Sequence, residues 1–342
     1  MARIALDAMG GDFAPSAPVA GALLALADLD SSHRIQLVGL PGVIRQALDE
    51  ALAGAHAHLA PHLDRLDIVE ASEVIGMTDK PSAAIRGKPN SSMHVGLKLQ
   101  AQGASDAFVS SGNTGAQMAI SSLILRLHPG LSRPAISTVF PTARQPVVVV
   151  DSGANVDCSA QELVQFARLG AVYAEDILGR TNPVIGLLSI GEEPEKGSAA
   201  VKEAHQLLRR SGLNFQGNVE GRDLPVGGSD RGPIDVVVCD GFVGNALLKF
   251  YEAVAPTLIS MVARHAGLSK EQLAGAFKQL DYSEQGGAPL LGVRGVSIIS
   301  HGKSSPRAIM NAIKVGLRAV ETRMNDHIGR RLAESEQTGS AA

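Results

Sequence analysis

Aromatic residues are scarce in this chain, at 3% of 342 residues with no tryptophan. We therefore expect no platform of exposed aromatic side chains for stacking nucleic-acid bases. The formal net charge of -3, from 31 basic and 34 acidic residues, excludes an overall basic field that would attract nucleic acid or an anionic membrane surface. The sequence therefore predicts no nucleic-acid partner. We expect any ligand to be recognised by a few groups at a local site rather than by the overall charge of the protein.

Cysteine and long apolar runs are rare as well. Cys158 and Cys239 are the two cysteines and lack CxxC spacing, so neither a disulfide framework nor a zinc cluster is indicated, and both are expected to pack in the core. The N-terminus enters a strand pattern without the features of a signal peptide. The longest apolar run, Gly21–Ala27, is far short of the ~20 residues that cross a bilayer. We expect a cytoplasmic protein, soluble or peripheral at the inner face of the membrane.

The common phosphate and metal motifs are also missing. Gly10-Gly11-Asp12 does not supply GxGxxG, and Gly302-Lys303-Ser304 lacks the first glycine of a P-loop because position 297 is Ser297. No GxSxG or HExxH segment is present. Asp7 and Asp12 resemble metal ligands, but no further carboxylates cluster with them. We predict no metal and no cofactor.

What the chain does contain is a repeated pattern of a short apolar run, a glycine-rich or acidic turn, and a segment with helical spacing. Such alternation is typical of an α/β fold with a mostly parallel, doubly wound sheet and helices on both faces. The segment 217–233, rich in Gly, Asp and Pro, predicts a loop. The predicted strands end at Asp7, Leu40, Glu70, Ser110, Asp151, Ile190, Asp240 and Ser300.

Six of these strand ends carry polar, glycine-bearing turns. In a parallel sheet all such ends lie on one edge, where ligands of open α/β sheets bind, so we expect one composite site. The six turns are Asp7–Asp12, Ser110–Thr114, Asp151–Asn155, Gly191–Gly197, Asp240–Asn245 and His301–Ser305.

The turn at Ser111–Gly115 has the features of an anion site. Gly112 and Gly115 permit close approach of a ligand to the backbone, Asn113 and Thr114 offer side-chain donors, and a helix start supplies free N–H groups. An ordinary strand-to-helix turn with Thr114 as N-cap is the alternative.

Segments along nearly the whole chain resemble the bacterial phosphate acyltransferases of the PlsX type. They are Ile4–Asp12, Lys80–Arg86, Ser91–Met93, Ser111–Gly115, Asp151–Asn155, Gly191–Glu193, Lys196–Gly197, Asp240–Asn245 and His301–Lys303. That family converts acyl-acyl carrier protein and inorganic phosphate into acyl phosphate and free carrier protein. The resemblance implies a fold like phosphotransacetylases and isopropylmalate dehydrogenases, a homodimer, and a place at the start of membrane phospholipid synthesis, with the membrane acyl phosphate:glycerol-3-phosphate acyltransferase as a further partner.

On this basis phosphate attacks the thioester directly, without a covalent enzyme intermediate, and positioned donors stabilise the oxyanion. Lys196 is the first predicted catalytic residue, against the alternative of a salt bridge with the preceding glutamates. Asn245 is the second, against the alternative of a helix N-cap. A short-chain acyl-CoA phosphotransacetylase and a non-catalytic regulator that holds the carrier protein or a membrane partner are the competing functions.

The remaining strand-end residues receive supporting roles. Asp240 and His301 are predicted catalytic groups, His301 as a proton donor to the departing thiolate. Asp151, Asn155 and Lys303 join the turn at Ser111–Gly115 in binding the phosphate or the thioester. Turn capping is the alternative for the three Asp and Asn residues, and a structural hydrogen bond for the histidine.

Apolar stripes at helical spacing over 251–285 predict a helical protrusion on a single domain of residues 1–331, followed by a disordered tail, 332–342. Core packing is the ordinary role of such stripes, and contact with an acyl chain, a partner subunit or a membrane is the alternative. The stripes consist of Val254, Leu258, Met261, Val262, Leu273, Phe277 and Leu280, with Arg264, Lys270 and Lys278 nearby.

Overall fold

The computed structural model describes residues 1–266, 269 and 286–339. The chain divides into two compact units, here unit 1 (Met1–Pro129 and Gln285–Gly329) and unit 2 (Gly130–Glu284 and Arg330–Ala342). The sequence pattern predicted one α/β domain, because strands and helices alternate in the same way in both units.

Thirteen strands lie within the described residues. They are β1 Arg3–Asp7, β2 Arg34–Gly39, β3 Leu66–Glu70, β4 Ala107–Ser110, β5 Ala135–Phe140, β6 Val147–Val150, β7 Ile185–Leu188, β8 Phe215–Val219, β9 Gly228–Ser229, β10 Gly232–Pro233, β11 Val236–Val238, β12 Ala288–Leu291 and β13 Ser297–Ile299.

The helices alternate with these strands, and a 3₁₀ helix covers Ala57–Arg65. The α-helices are α1 Ser16–Asp28, α2 Pro41–Ala53, α3 Pro81–Gly87, α4 Ser92–Ala101, α5 Thr114–Ile124, α6 Ala160–Asp176, α7 Ala199–Arg209, α8 Asp223–Val226, α9 Gly241–Ala266, α10 Pro306–Glu321 and α11 Met324–Gly339.

Each unit has a mostly parallel set of strands. In unit 1 the strand order is β3-β2-β1-β4-β13-β12, with only β12 antiparallel to its neighbour β13. In unit 2 the order is β5-β6-β11-β7-β8, with β5 antiparallel to β6. The predicted α/β class with a mostly parallel sheet is confirmed.

The core of each unit consists of apolar strands covered by helices. In unit 2 the run Val147–Val150 is completely buried, as expected for a parallel strand with both faces covered. In unit 1 Ile4, Leu6 and Phe108 are buried on adjacent strands. Helix α1 packs closely on α10, since a Cβ at Gly21 would lie 2.7 Å from Ile309 Cγ2.

Five strands were not predicted from the sequence: β5, β8, β9, β10 and β12. The edge strand β8 was missed because Gly217 and Asn218 interrupt any apolar run, and the segment 217–233 was expected to be a loop. The structure places β8, α8, β9 and β10 in or across that segment. Strands β5 and β12 were missed because each is followed by another strand rather than by a helix.

The C-terminal segment also differs from the expected tail at 332–342. Helix α11 continues to Gly339, and Ile328 and Leu332 on it are buried. Burial of these two side chains at helical spacing explains why the helix does not end at residue 331.

Helix α9 covers the first part, residues 251–266, of the segment that was predicted to be a helical protrusion at 251–285. Its first turns pack against the unit 2 core through Val243, Leu247 and Tyr251, whereas Leu258 and Met261 further along are exposed. By length and a mean hydropathy of 1.4, residues 241–265 meet a criterion for crossing a membrane that core helices of water-soluble proteins also meet. The second stripe, Leu273, Phe277 and Leu280, with Lys270 and Lys278, lies outside the described residues.

Candidate active site

Three of the six polar turns meet at one edge of unit 1, after the adjacent strands β1, β4 and β13. Ser110 Oγ donates to Asp7 Oδ2 at 2.7 Å, and Ser111 Oγ donates to the Gly10 carbonyl at 2.9 Å. The Asp12 N–H donates to the carbonyl of Gly302 at 2.7 Å. The parallel strand order therefore brings these three turns together, as the sequence predicted.

The side chain of Asn113 is fully engaged within unit 1. Its Oδ1 accepts from the Ala116 N–H at 3.0 Å and so caps α5. Its Nδ2 donates to the carbonyls of Met77, at 3.0 Å, and Asp79, at 2.9 Å. Asn113, rather than Thr114, is therefore the N-cap, and its amide anchors the preceding loop instead of pointing to a ligand.

Backbone groups at the start of α5 remain available. No group among the described residues accepts a hydrogen bond from the N–H of Thr114 or Gly115, whereas the Gly112 N–H donates to Ser110 Oγ at 3.0 Å. Thr114 is exposed. Free N–H groups at a helix N-terminus, reinforced by the helix dipole, favour an anion.

Two further predicted residues lie in the third turn of unit 1. His301 is exposed, and its Nδ1 accepts from the Lys303 N–H at 3.1 Å, which leaves the proton of a neutral imidazole on Nε2. The exposed ammonium of Lys303 has no hydrogen-bond or ion-pair partner in the described part of the chain. Both side chains thus retain donors for a ligand.

In unit 2 the carboxylate of Asp151 is completely buried. It accepts from the N–H groups of Ile136 at 3.0 Å, Ala154 at 3.0 Å and Asn155 at 2.7 Å, and from Asn155 Nδ2 at 2.9 Å. Burial raises the pKa of Asp151, and the hydrogen bonds offset part of that rise. Nδ2 of Asn155 also donates to the Pro134 carbonyl at 2.8 Å. Both side chains hold the turn together rather than facing a ligand.

The turns after β6 and β11 are locked to each other. The Gly241 N–H donates to the Asn155 carbonyl at 2.7 Å. A Cβ at Gly244 would lie 1.9 Å from the carbonyl oxygen of Asp151, so the close approach of α9 to this turn requires glycine. Asp240 Oδ1 accepts from the Val243 N–H at 2.8 Å. Asp240 therefore caps the start of α9.

Asn245 is exposed in the early part of α9, and its amide has no partner among the residues described. Because Asp240 provides the cap, the alternative role of Asn245 as an N-cap does not hold. A Cβ at Gly153 would lie 3.5 Å from Asn245 Oδ1. The amide is thus next to the turn after β6 and free to bind.

Lys196 is exposed in the turn after β7. Its N–H donates to the Glu193 carbonyl at 3.0 Å, but its ammonium forms no ion pair with any described residue. The neighbouring Glu192 instead lies 3.4 Å from Arg231 and 3.8 Å from Arg222. The salt-bridge alternative for Lys196 is therefore not formed, and its charge is available.

Neither cysteine is a ready nucleophile. Burial, with a further effect from the charge of Asp151, raises the pKa of the half-buried Cys158 to about 12. The same causes raise the pKa of Cys239, which is buried in the core as the sequence predicted. Both remain thiols at neutral pH, and a thiol attacks a thioester poorly.

Two elements near these turns were not identified from the sequence. The loop that contains Met77 and Asp79 is held by Asn113, a contact that links distant parts of the sequence. Three exposed apolar side chains, Val156, Ile190 and Phe242, lie among the polar turns of unit 2. The available signal was an apolar residue inside a predicted polar turn, Phe242, or directly beside one, Val156 and Ile190.

Comparison with known proteins agrees with the fold and the motifs. Residues 2–327 match the protein family described as Fatty acid synthesis protein. A phosphate acyltransferase of Desulforamulus reducens is 47% identical over 330 residues, which cover 94% of each chain. One from Koribacter versatilis is 46% identical over 354 residues, covering 98% of this chain and 95% of the relative.

Solved structures show the same fold at low sequence identity. A phosphotransacetylase from Streptococcus pyogenes superposes with a TM-score of 0.61 at 18% identity, covering 94% of each chain. One from Staphylococcus aureus gives 0.60 at 16% identity, covering 93% of this chain and 94% of its own. Together with the family match, these findings show that the chain belongs to the fatty acid synthesis protein family of phosphate acyltransferases and is an acyltransferase.

Proposed function

We propose that this enzyme transfers a fatty acyl group from the thioester of acyl carrier protein directly to inorganic phosphate. The observation that carries the proposal is a set of hydrogen-bond donors at the strand ends for which the described part of the chain provides no acceptor. They are the N–H groups of Thr114 and Gly115, the ammonium groups of Lys196 and Lys303, and the amide of Asn245. Such donors suit a reaction between two electron-rich partners, in which negative charge develops on the thioester oxygen.

We assign the phosphate to unit 1. The start of α5 favours an anion through the free N–H groups of Thr114 and Gly115, and Lys303 adds a positive charge. Phosphate, with a second pKa of about 6, is largely dianionic near neutral pH and needs no strong general base. His301 is the proposed proton donor to the departing thiolate, whose conjugate acid has an ordinary pKa of about 8.5.

We assign the thioester to unit 2. Lys196 and Asn245 present an ammonium and an amide that stabilise the oxyanion formed when phosphate attacks the carbonyl carbon. Asp151, Asn155 and Asp240 hold the turns that carry this edge, because their side chains accept or donate within unit 2.

Direct attack is favoured by the state of the two thiols. A covalent acyl-enzyme would need an activated nucleophile, whereas the pKa of Cys158 is raised to about 12 and Cys239 is buried. The bond from phosphate oxygen to carbonyl carbon forms, the carbon–sulfur bond breaks, and the electron pair leaves with the carrier thiolate.

The proposal includes the wider setting that the family resemblance implies. The enzyme is a cytoplasmic homodimer, peripheral at the inner face of the membrane, and the membrane acyl phosphate:glycerol-3-phosphate acyltransferase consumes its product in phospholipid synthesis.

Thiol release from palmitoyl-carrier protein and from acetyl-CoA, each with and without phosphate, tests the proposal. We expect phosphate-dependent release that is faster with the carrier thioester. Faster release from acetyl-CoA would point to a short-chain phosphotransacetylase instead. No phosphate-dependent release from either would leave the non-catalytic carrier-binding function.

A pair of lysine variants tests the residue assignment. Lys196→Met keeps the aliphatic stem but removes the charge, and we expect kcat to fall on the order of a hundredfold, as loss of one oxyanion donor does. The matched control is Lys202→Met, an exposed lysine on α7. Equal activity of the two variants would exclude a catalytic role for Lys196.

A further inference from the structure

Three large apolar side chains are strongly exposed at the edge of unit 2 that carries the proposed thioester site. Val156 is 64% exposed, Ile190 83% and Phe242 67%. Only two other large apolar side chains after Met1 in the described residues exceed 60%, Leu123 and Phe250. Exposure of this size is unfavourable in water, so three such groups at one site point to a ligand that covers them.

Strand order places the segments that carry the three side chains next to one another. They follow β6, β7 and β11, and β11 lies between the other two, with Val238 paired to Val150 on one side and to Leu187 on the other. Neighbouring strands are about 4.8 Å apart, so the three strand ends span about 10 Å. The Gly241 N–H donates to the Asn155 carbonyl, and Phe242 and Val156 are the residues that follow these two in the sequence.

Polar donors lie within the same group of turns. Asn245 is three residues after Phe242 on α9, a spacing that puts two side chains on one helix face. Lys196 lies in the turn that Ile190 begins, and it has no ion-pair partner in the described chain. The edge therefore combines free donors with apolar side chains.

We infer that Val156, Ile190 and Phe242 bind the run of methylene groups in the substrate's acyl chain that extends from the carbonyl held by Lys196 and Asn245. The inference rests on the proposed function and names the part of the substrate that this edge recognises. A fatty acyl thioester has the required chemistry, a polar carbonyl followed by an apolar chain. A bilayer interior or a dry interface with a second copy would bury the Lys196 ammonium without a partner, which is costly.

The three side chains then contribute to selectivity for longer acyl groups. Burial of each methylene increases affinity about fourfold, the equivalent of its transfer free energy. A butyryl group offers few methylenes to cover these side chains, and a palmitoyl group offers many.

The test compares Ile190→Ser and Phe242→Ser with the matched control Phe250→Ser, which removes an equally exposed ring (68%) further along α9. With palmitoyl-carrier protein at saturating phosphate, we expect kcat/KM of the first two variants to fall roughly tenfold, from lost apolar contact. With butyryl-carrier protein we expect a change of less than about twofold, and the control unchanged with both. An equal loss with both substrates, or no loss, would overturn the inference.

A second measurement separates this inference from the proposed function. Equilibrium binding of an unreactive palmitoyl thioether of the carrier does not depend on turnover. Roughly tenfold weaker binding by Ile190→Ser and Phe242→Ser supports the acyl-chain role even if the wild-type enzyme releases no thiol. Unchanged binding, or an effect confined to dimer mass or to flotation with anionic phospholipid vesicles, would contradict it.

Discussion

Asn113 provides the sharpest test of how the phosphate turn is built. Replacing it with Ala removes the cap on the Ala116 N–H, a loss of about 1 kcal/mol. It also removes two donors, to the carbonyls of Met77 and Asp79, each contributing about 1 kcal/mol. We expect local stability to fall by about 3 kcal/mol in total. Asn113→Ser retains a capping oxygen and loses only the two donors, which predicts about 2 kcal/mol.

Hydrogen exchange of individual amides distinguishes the two losses. The amide of Ala116 should exchange about fivefold faster in Asn113→Ala than in Asn113→Ser, because only the Ala variant loses the cap of about 1 kcal/mol. The amide of Asp79, which donates to the Gly76 carbonyl at 3.1 Å, should lose protection in both variants. Unchanged exchange in both variants, together with a raised KM for phosphate, would refute this structural role and restore Asn113 as a phosphate ligand.

Three further outcomes are expected. Burial, and then the charge of Lys98, lowers the pKa of His94 below its ordinary 6.5. The stabilising contribution of neutral His94 is therefore present above about pH 6.5 and is lost as the pH falls through the lowered pKa. From about pH 7 to about pH 5, the melting temperature of His94→Gln should drop less than that of the wild type. Gly244→Ala should destabilise unit 2 by roughly 3 kcal/mol or more in urea melts, because of the clash with the Asp151 carbonyl, whereas Gly42→Ala, which meets nothing within 4 Å, should not. Asn245→Ala should lower kcat on the order of a hundredfold with an unchanged melting temperature, and a normal kcat would remove it from the site.

The strand-end turns could be predicted from the sequence because they follow local rules. Apolar runs such as Val147–Val150 are typical of buried parallel strands, and parallel strands end on one edge. The same rules failed at β8, where Gly217 and Asn218 remove the apolar signal although the strand pairs in parallel with β7, with a shift of register between Ile185 and Gly186. The local pattern of apolar residues does not reveal a strand that forms because it pairs with a neighbouring strand.

The direction of the polar side chains could not be predicted in the same way. Asp151 and Asn113 lie in the predicted turns, but Asp151 accepts from the distant Ile136 N–H and Asn113 donates to Met77. Each partner is supplied by the tertiary fold rather than by the turn itself. Lys196 and Asn245 are free donors because Glu192 pairs with Arg231 and Asp240 provides the helix cap. The sequence alone does not reveal these pairings.

The most direct test of the account is a single-turnover experiment with enzyme in excess over palmitoyl-carrier protein. Direct attack predicts no thiol release and no acylated protein in the absence of phosphate. After phosphate is added, it predicts thiol and palmitoyl phosphate in equal amounts. Release of thiol without phosphate, with the palmitoyl group found on the enzyme by mass spectrometry, would contradict it.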